Sequence, residues 1–168
     1  MSDEIKKGLL GIVVDETTIS HVVPELSALT YRGYKVQDLC DKCDFEEVAY
    51  LVLYGELPSK VQLKKFIKEE RSNRKLSKTI IKNIQQMPKN AHPMDVIRTC
   101  VSLMALEDKD TKDNSPKANM RKALKVFSQT PTAVAAYFRA RKGKKIISPN
   151  SQLSFAENFF KMMFGKVP

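Results

Sequence analysis

Hydrophobic and polar positions follow two different rhythms along this chain. Gly8 to Val14 and Thr17 to Val23 are rich in Val, Ile and Thr, with Asp15-Glu16 as a break, and Pro24 closes the second run. Leu29 to Tyr34 gives a third extended piece, turned at Gly33. β-branched runs bounded by Gly and Pro predict short strands, here too few to build a sheet core. Residues 1–35 are therefore expected to form an extended arm, and from Val36 onward the spacing is helical.

The first clear helix follows Asp44, with Glu47 completing a capping-box pair and Gly55 and Pro58 as stops. Its expected buried stripe is Phe45, Val48, Ala49, Val52 and Leu53. Ser59 with Gln62 repeats the start signal ahead of a narrow face of Leu63, Phe66 and Ile67. Leu76, Ile80, Ile81, Ile84 and Met87 form another stripe, ended by Pro88. A helix opened by Pro93 keeps its polar residues, Asp95, Arg98, Thr99 and Ser102, on one thin stripe. The rest of it, to Leu106, is apolar or small, which demands burial on several sides.

A long helical stretch is predicted from about residue 117 to 141, with Met120, Ala123, Leu124 and Phe127 on one stripe. Pro131 is expected to kink or break it, and Ala133, Ala135 and Ala136 invite close helix approach. Gly143 ends the stretch. Ser154 and Glu157 cap a last helix with an expected face of Phe155, Ala156, Phe159, Phe160 and Met163, ending at Gly165. The aromatic crowd there either folds back on earlier helices or forms an association surface.

Composition changes this picture little. The 168 residues are 42% apolar and 29% charged, which is globular rather than disordered. The longest apolar run, Val48 to Tyr54, is far shorter than the roughly 18–20 residues a membrane span requires. The charged start MSDEIKK is neither a secretory signal nor an organellar presequence, so the cytoplasm is the expected compartment. Three cysteines agree with a reducing compartment. Cys40 and Cys43 form a CxxC, but Cys100, His21 and His92 do not pair into a second half-site, so small packed side chains are the expectation and no metal ligand is assigned.

Charge is more informative. The net charge of +10 is concentrated in two runs. One has Lys or Arg at 60, 64, 65, 68, 71, 74, 75, 78 and 82 against Glu69 and Glu70; the other is RARKGKK, Arg139 to Lys145. Clustered cations attract phosphates. No nucleic-acid motif accompanies them, so the nucleic-acid reading stays behind solvated helix faces and a loose field for anions such as CoA phosphates.

Several multi-residue segments carry a family resemblance, in order along nearly the whole chain. KGLLGIVVDETTISHV is similar to the N-terminal arm of prokaryotic-type citrate and 2-methylcitrate synthases. LTYRGYKVQDL and FEEVAYLVLYGELPS resemble the stretch after it. AHPMDVIRTCVSLMALED and QTPTAVAAYFRARKGKKIISP look like two of the family's dimer-forming helices, and LSFAENFFKMMFGKVP like the segment leading to the catalytic half. The resemblance implies an all-α fold, the N-terminal part of a large helical domain with a few short strands at the start, over 36–168.

It also implies a homodimer that condenses an acyl-CoA, acetyl-CoA first among them, with oxaloacetate in the tricarboxylic acid cycle. That chemistry uses a carboxylate base and two histidines, in His-Gly-Gly and Gly-His-Arg segments. Here the only histidines, His21 and His92, are followed by neither Gly nor Arg. The expectation is thus a scaffold half with no catalytic or cofactor-binding residue, inactive until joined by a complementary C-terminal half. Candidates for subunit contact are Ile97, Cys100, Val101 and Met104 on one helix and Ala133, Val134, Ala136 and Tyr137 on another. A non-catalytic relative acting only through protein association is the rival reading.

Overall fold

A computed structural model describes residue 8, residues 11–26 and residues 28–168. Positions 9, 10 and 27, within or beside the expected extended runs, lie outside the described residues, as do 1–7. The architecture is all-α with a short antiparallel sheet near the start, as the spacing predicts. Strands lie before residue 36 and the α-helices after it, while compact packing divides the chain into Met1–Leu57 and Pro58–Pro168.

In the first unit, β1 (Ser20–Val23) pairs with β2 (Ala28–Tyr31), and β2 with β3 (Tyr34–Lys35), all antiparallel. The β2–β3 loop is Arg32-Gly33, with φ of 50° and 87°. Two consecutive positive φ values make the hairpin turn whose twist matches the strands, and Gly33 takes its share without strain. Arg32 is more than a turn residue. Its Nη1 donates to Thr18 Oγ1 (2.6 Å) and its Nη2 to the Val52 carbonyl (3.0 Å), which ties the sheet to a helix of the same unit. Residues 11–14 of the first expected extended run form no strand, and the second, expected from Thr17, is a strand only from Ser20.

Two helices complete this unit. α1 (Val36–Lys42) buries only Leu39. α2 (Phe45–Tyr54) starts at Asp44, whose N–H donates to Glu47 Oε2 (2.8 Å), and ends at Gly55 in the left-handed conformation. Its buried face is Glu46, Tyr50 and Leu51 rather than the stripe of Phe45, Val48, Ala49, Val52 and Leu53. Phe45 is 51% exposed. In a helix this rich in apolar residues, spacing gives the period but not the phase.

The second unit is a helical assembly around one long hub. α3 (Lys60–Asn73), α4 (Lys78–Gln86), α5 (Pro93–Leu106) and α7 (Phe155–Phe164) each pack on α6 (Pro116–Arg141). Helix starts are set by local chemistry. Ser59, Ser77, Ser115 and Ser154 each accept a hydrogen bond from the third residue on, and Gln62 and Glu157 return the bond at two of them. The core is three stripes at helical spacing: Leu76, Ile80 and Ile84; Val96, Cys100 and Met104; Ala133, Ala136 and Tyr137. A second cluster stacks Phe127 on Phe155 (centroids 4.9 Å apart) with Phe66 at 6.4 Å from Phe127.

Of the two expected effects of Pro131, a break is not seen: α6 continues through it. Proline cannot supply the N–H that the Phe127 carbonyl would take. The helix is held on both sides of that gap by tertiary bonds instead. Gln129 Nε2 donates to the Lys75 carbonyl (3.0 Å) and Thr132 Oγ1 to the Arg74 carbonyl (2.8 Å). Those carbonyls lie just past the end of α3, so α6 also satisfies that end. The face of α7 differs too: Asn158 and Met162 are buried, while Ala156 and Phe160 are exposed. Asn158 turns inward because its Oδ1 accepts the N–H of Asn150 (2.7 Å), which fixes the connection before the helix.

Arg74 and Glu70 are both read from sequence as part of a basic run, yet they are 2% and 0% exposed. Arg74 Nε and Nη2 reach the Glu70 carboxylate at 2.8 and 2.6 Å, and Nη1 donates to the carbonyls of Asn150 (3.0 Å) and Leu153 (2.9 Å). Removing one partner of a buried pair strands the other charge. Glu70→Ala is expected to lower stability by roughly 3–5 kcal/mol, read as a drop in urea unfolding free energy. Glu70→Leu with Arg74→Met should recover only part of that loss, because two carbonyls then lose their donor.

A second charged group sits in the α5–α6 connection. Asp108 accepts from Arg121 Nη1 and Nη2 (both 3.3 Å), from Lys125 Nζ (3.4 Å) and from the Asp110 N–H (3.0 Å). The Arg121 bonds first, then the Asp110 N–H, draw its carboxyl from the ordinary 3.8 down to about 2. Between these values the unfolded chain binds the proton and the folded chain does not, so stability falls as pH falls through that window. Thermal midpoints of Asp108→Asn should therefore vary less than wild type between about pH 4 and about pH 2.

Candidate association surface

α5 carries apolar residues on more than one side. Its fourteen residues begin at Pro93, after His92, whose Nδ1 accepts the Met94 N–H at 3.3 Å. Only Val96, Cys100 and Met104 are buried within this chain. Met94 is 62% and Leu106 82% exposed, with Ile97, Val101 and Leu103 half-buried. Met94, Ile97 and Val101 follow a 3-4 spacing and share one outward face. A helix face of this kind beside a core stripe is the usual sign of a further packing partner.

α6 and α7 extend that face. Pro93 and Ile97 of α5 meet Val134, Tyr137, Phe138 and Arg141 of α6 and Met163 of α7 around an apolar notch of about 110 Å³. Tyr137 forms its inner wall. Its hydroxyl lies 2.8 Å from the Pro88 carbonyl and 3.1 Å from that of Ala91, so the ring is fixed while its outer side stays in the notch. Arg141 lies over that ring at 5.6 Å and Lys142 over Phe138 at 4.3 Å. Phe164 meets Phe138 edge-on at 5.8 Å, and Phe160 stacks on Phe164 at 5.9 Å. Part of the C-terminal aromatic crowd thus folds back on α6, while Phe160 and Phe164 keep 39% and 55% of their surface exposed.

The eight residues expected at a subunit contact fall into two groups. Cys100, Met104, Ala133, Ala136 and Tyr137 are 0–4% exposed and form the α5–α6 part of the chain's own core. The small alanines receive α5 of the same chain. Ile97, Val101 and Val134 are half-buried and face outward. Sequence reasoning did not single out Met94, Phe138 or Arg141, which lie on or beside the same face; the 3-4 spacing from Ile97 is the signal that finds Met94.

His92 is an exposed helix cap, and His21 stands exposed in β1 opposite Thr30. Burial pushes the Cys100 thiol up, and burial with the charges of Glu47 and Asp44 raises that of Cys43; neither is an activated thiolate. Among the described residues no three His, Cys, Asp or Glu gather as a metal-holding group, and no helix is long and apolar enough to cross a membrane.

This division predicts the tolerance of each position. Ile97→Arg should leave helical circular dichroism intact with a small change in thermal midpoint, since its side chain can reach solvent. Ala136→Arg, forced into the α5–α6 contact, should abolish cooperative unfolding.

A family model described as citrate synthase, C-terminal domain, matches residues 8–168. Citrate synthase of Mycolicibacterium smegmatis is 48% identical over 164 residues, covering 98% of this chain and 44% of the relative. A 2-methylcitrate synthase of Mycobacterium tuberculosis is 47% identical over 165 residues, covering 98% of this chain and 42% of the relative. The citrate synthase of Thermoplasma acidophilum, in a ternary complex with carboxymethyl coenzyme A and oxaloacetate, superimposes with a TM-score of 0.91 at 25% identity, over 99% of this chain and 44% of that one. The chain thus spans less than half the length of these relatives.

Proposed function

The chain belongs to the citrate synthase family, and from that premise we propose that it is the scaffold and subunit-contact half of an acyl-CoA-condensing enzyme. The observation that carries the reading is the similarity itself, 98% of this chain against 44% of the relative. The family's His-Gly-Gly and Gly-His-Arg segments do not occur in the sequence. The reaction is condensation of an acyl-CoA, acetyl-CoA first, with oxaloacetate, followed by thioester hydrolysis, in the tricarboxylic acid cycle of the cytoplasm. The ligands of the Thermoplasma acidophilum complex support that substrate pair.

The part this chain plays is mechanical. It contributes no base and no oxyanion donor. A complementary C-terminal half supplies them, and α6, held by Arg74 and the α5 stripe, gives that half a fixed helical platform. The outward face of Met94, Ile97, Val101 and Val134 is the contact with a second subunit, so the working unit is a homodimer. Burying apolar surface of this kind stabilises association by about 25 cal/mol per Å² before the costs of ordering.

The pure chain is expected to release no thiol from acetyl-CoA or propionyl-CoA with oxaloacetate. Adding the catalytic half of a family member should restore release, and Ile97→Arg should weaken self-association in sedimentation while leaving the fold intact. Turnover by the chain alone would sink the reading. So would silence from a mixture in which both parts are folded.

A further inference from the structure

The CxxC of Cys40 and Cys43 takes no part in the proposed subunit contact, and it straddles the end of a helix. Cys40 is exposed in the last turn of α1, and Cys43, half-buried, follows its final residue, Lys42. That end is held by the Cys43 N–H, which donates to the Leu39 carbonyl at 3.0 Å, and by the exposed ion pair of Lys42 with Asp38 at 2.8 Å. One helical turn sets the two Cα atoms about 5 Å apart, inside the range a disulfide spans. Helical neighbours at this spacing hold their Cβ atoms about 5–6 Å apart, wider than the roughly 3.5–4.5 Å of a disulfide. The helix nevertheless stops between them. Cys43 is extended, with φ −126° and ψ 144°. The Asp44 N–H, which a continuing helix would give to the Cys40 carbonyl, goes instead to Glu47 Oε2 at 2.8 Å.

We propose that Cys40 and Cys43 form a reversible dithiol–disulfide pair, closed by exchange with a small-molecule disulfide, and that closure opens the last turn of α1. Exposed Cys40 meets the disulfide first. Its thiolate bonds to one sulfur, the external S–S bond breaks, and one half leaves as a thiolate. The Cys43 thiolate then bonds to the Cys40 sulfur and expels the second half. The chain gives up two electrons and two protons, and the external disulfide is reduced to two thiols. Burial, then the charges of Glu47 and Asp44, raises the Cys43 thiol, so this residue completes the exchange rather than starting it. Drawing the sulfurs together turns the Cys43 backbone, which gives up its bond to Leu39. Little opposes that movement: α1 buries one side chain, Leu39, and an exposed pair such as Lys42–Asp38 contributes little. The third cysteine, Cys100, is fully buried in the core of the other unit and stands outside the reaction. The inference does not lean on the family reading, and its failure leaves that reading untouched.

Intact mass and peptide mapping of the reduced chain, exposed to oxidised glutathione without denaturant, test the pairing. Wild type should lose two hydrogens, map to a Cys40–Cys43 link, and regain them with dithiothreitol. Cys43→Ser should stop at one glutathione on Cys40, and Cys40→Ser should react at least about tenfold more slowly than wild type. Amide exchange reads the second part: the Cys43 N–H should exchange about tenfold faster or more in the oxidised chain, with Cys100 unchanged. A glutathione adduct that persists on wild type would overturn the pairing, as would a link through Cys100 or to a second chain. No reaction at all with oxidised glutathione would overturn it too. A Cys40–Cys43 link that leaves the Cys43 amide as protected as before would overturn the opening of α1.

Discussion

One guanidinium holds the larger unit in register. Arg74 sits at the end of α3, nearly without solvent contact, and its donors are divided between the Glu70 carboxylate and the carbonyls of Asn150 and Leu153. Its own carbonyl takes the hydroxyl of Thr132 from α6. A single residue thus connects α3, the hub helix and the segment that starts α7. A buried ion pair is not by itself a source of stability, because desolvation offsets the attraction. What this one adds is specificity: the planar fork reaches carboxylate and carbonyls together in only one arrangement.

The hub depends on that arrangement in turn. Pro131 leaves a break in the α6 hydrogen-bond ladder, and the helix is continuous because Gln129 and Thr132, on either side, are bonded to the carbonyls of Lys75 and Arg74. Ala133 and Ala136 follow within one turn and present little side chain to α5, so Cys100 and Met104 approach the backbone closely and the Tyr137 hydroxyl reaches the loop before α5. A larger residue at 133 or 136 would push α5 away and open the floor of the apolar notch. The outward face of α5 is therefore shaped by contacts a helical turn or more away from it.

The sequence makes some of this legible, and the division follows range. Asp44 with Glu47, Ser59 with Gln62 and Ser154 with Glu157 are seen at once, since a cap is a bond between residues three apart. The stripe of Leu76, Ile80 and Ile84 is equally plain, because the polar residues around it leave one choice of face. On α2 and α7 apolar residues occupy most of the circumference, and the buried side is chosen by what lies across it: Leu51 over Phe45, and Asn158 through its bond to the Asn150 N–H. Glu70 and Arg74 show the limit well. Their spacing of four permits a pair on any helix, and nothing local says that this pair is buried while its basic neighbours are solvated. The subunit-contact candidates divide for the same reason. Small and apolar residues mark helices that pack closely, but Ala133, Ala136 and Cys100 pack on each other's helices within the chain, while Ile97, Val101 and Val134 stay half-buried.

Several of the ionisable groups are engaged in local structure. Proton transfer requires an acid or base whose environment brings its pKa near neutrality and whose proton faces a reacting atom. His92 has one ring nitrogen engaged at a helix start, Cys100 is held protonated in the core, and Asp108 is drawn further into its ionised form by Arg121. Burial of Cys100 and the Arg121 bonds of Asp108 move these two groups away from use as a shuttle near neutral pH. By contrast, the outer face of α5 leaves Met94 and Leu106 largely exposed among the described residues. Uncovered apolar area of this kind is a condition for association.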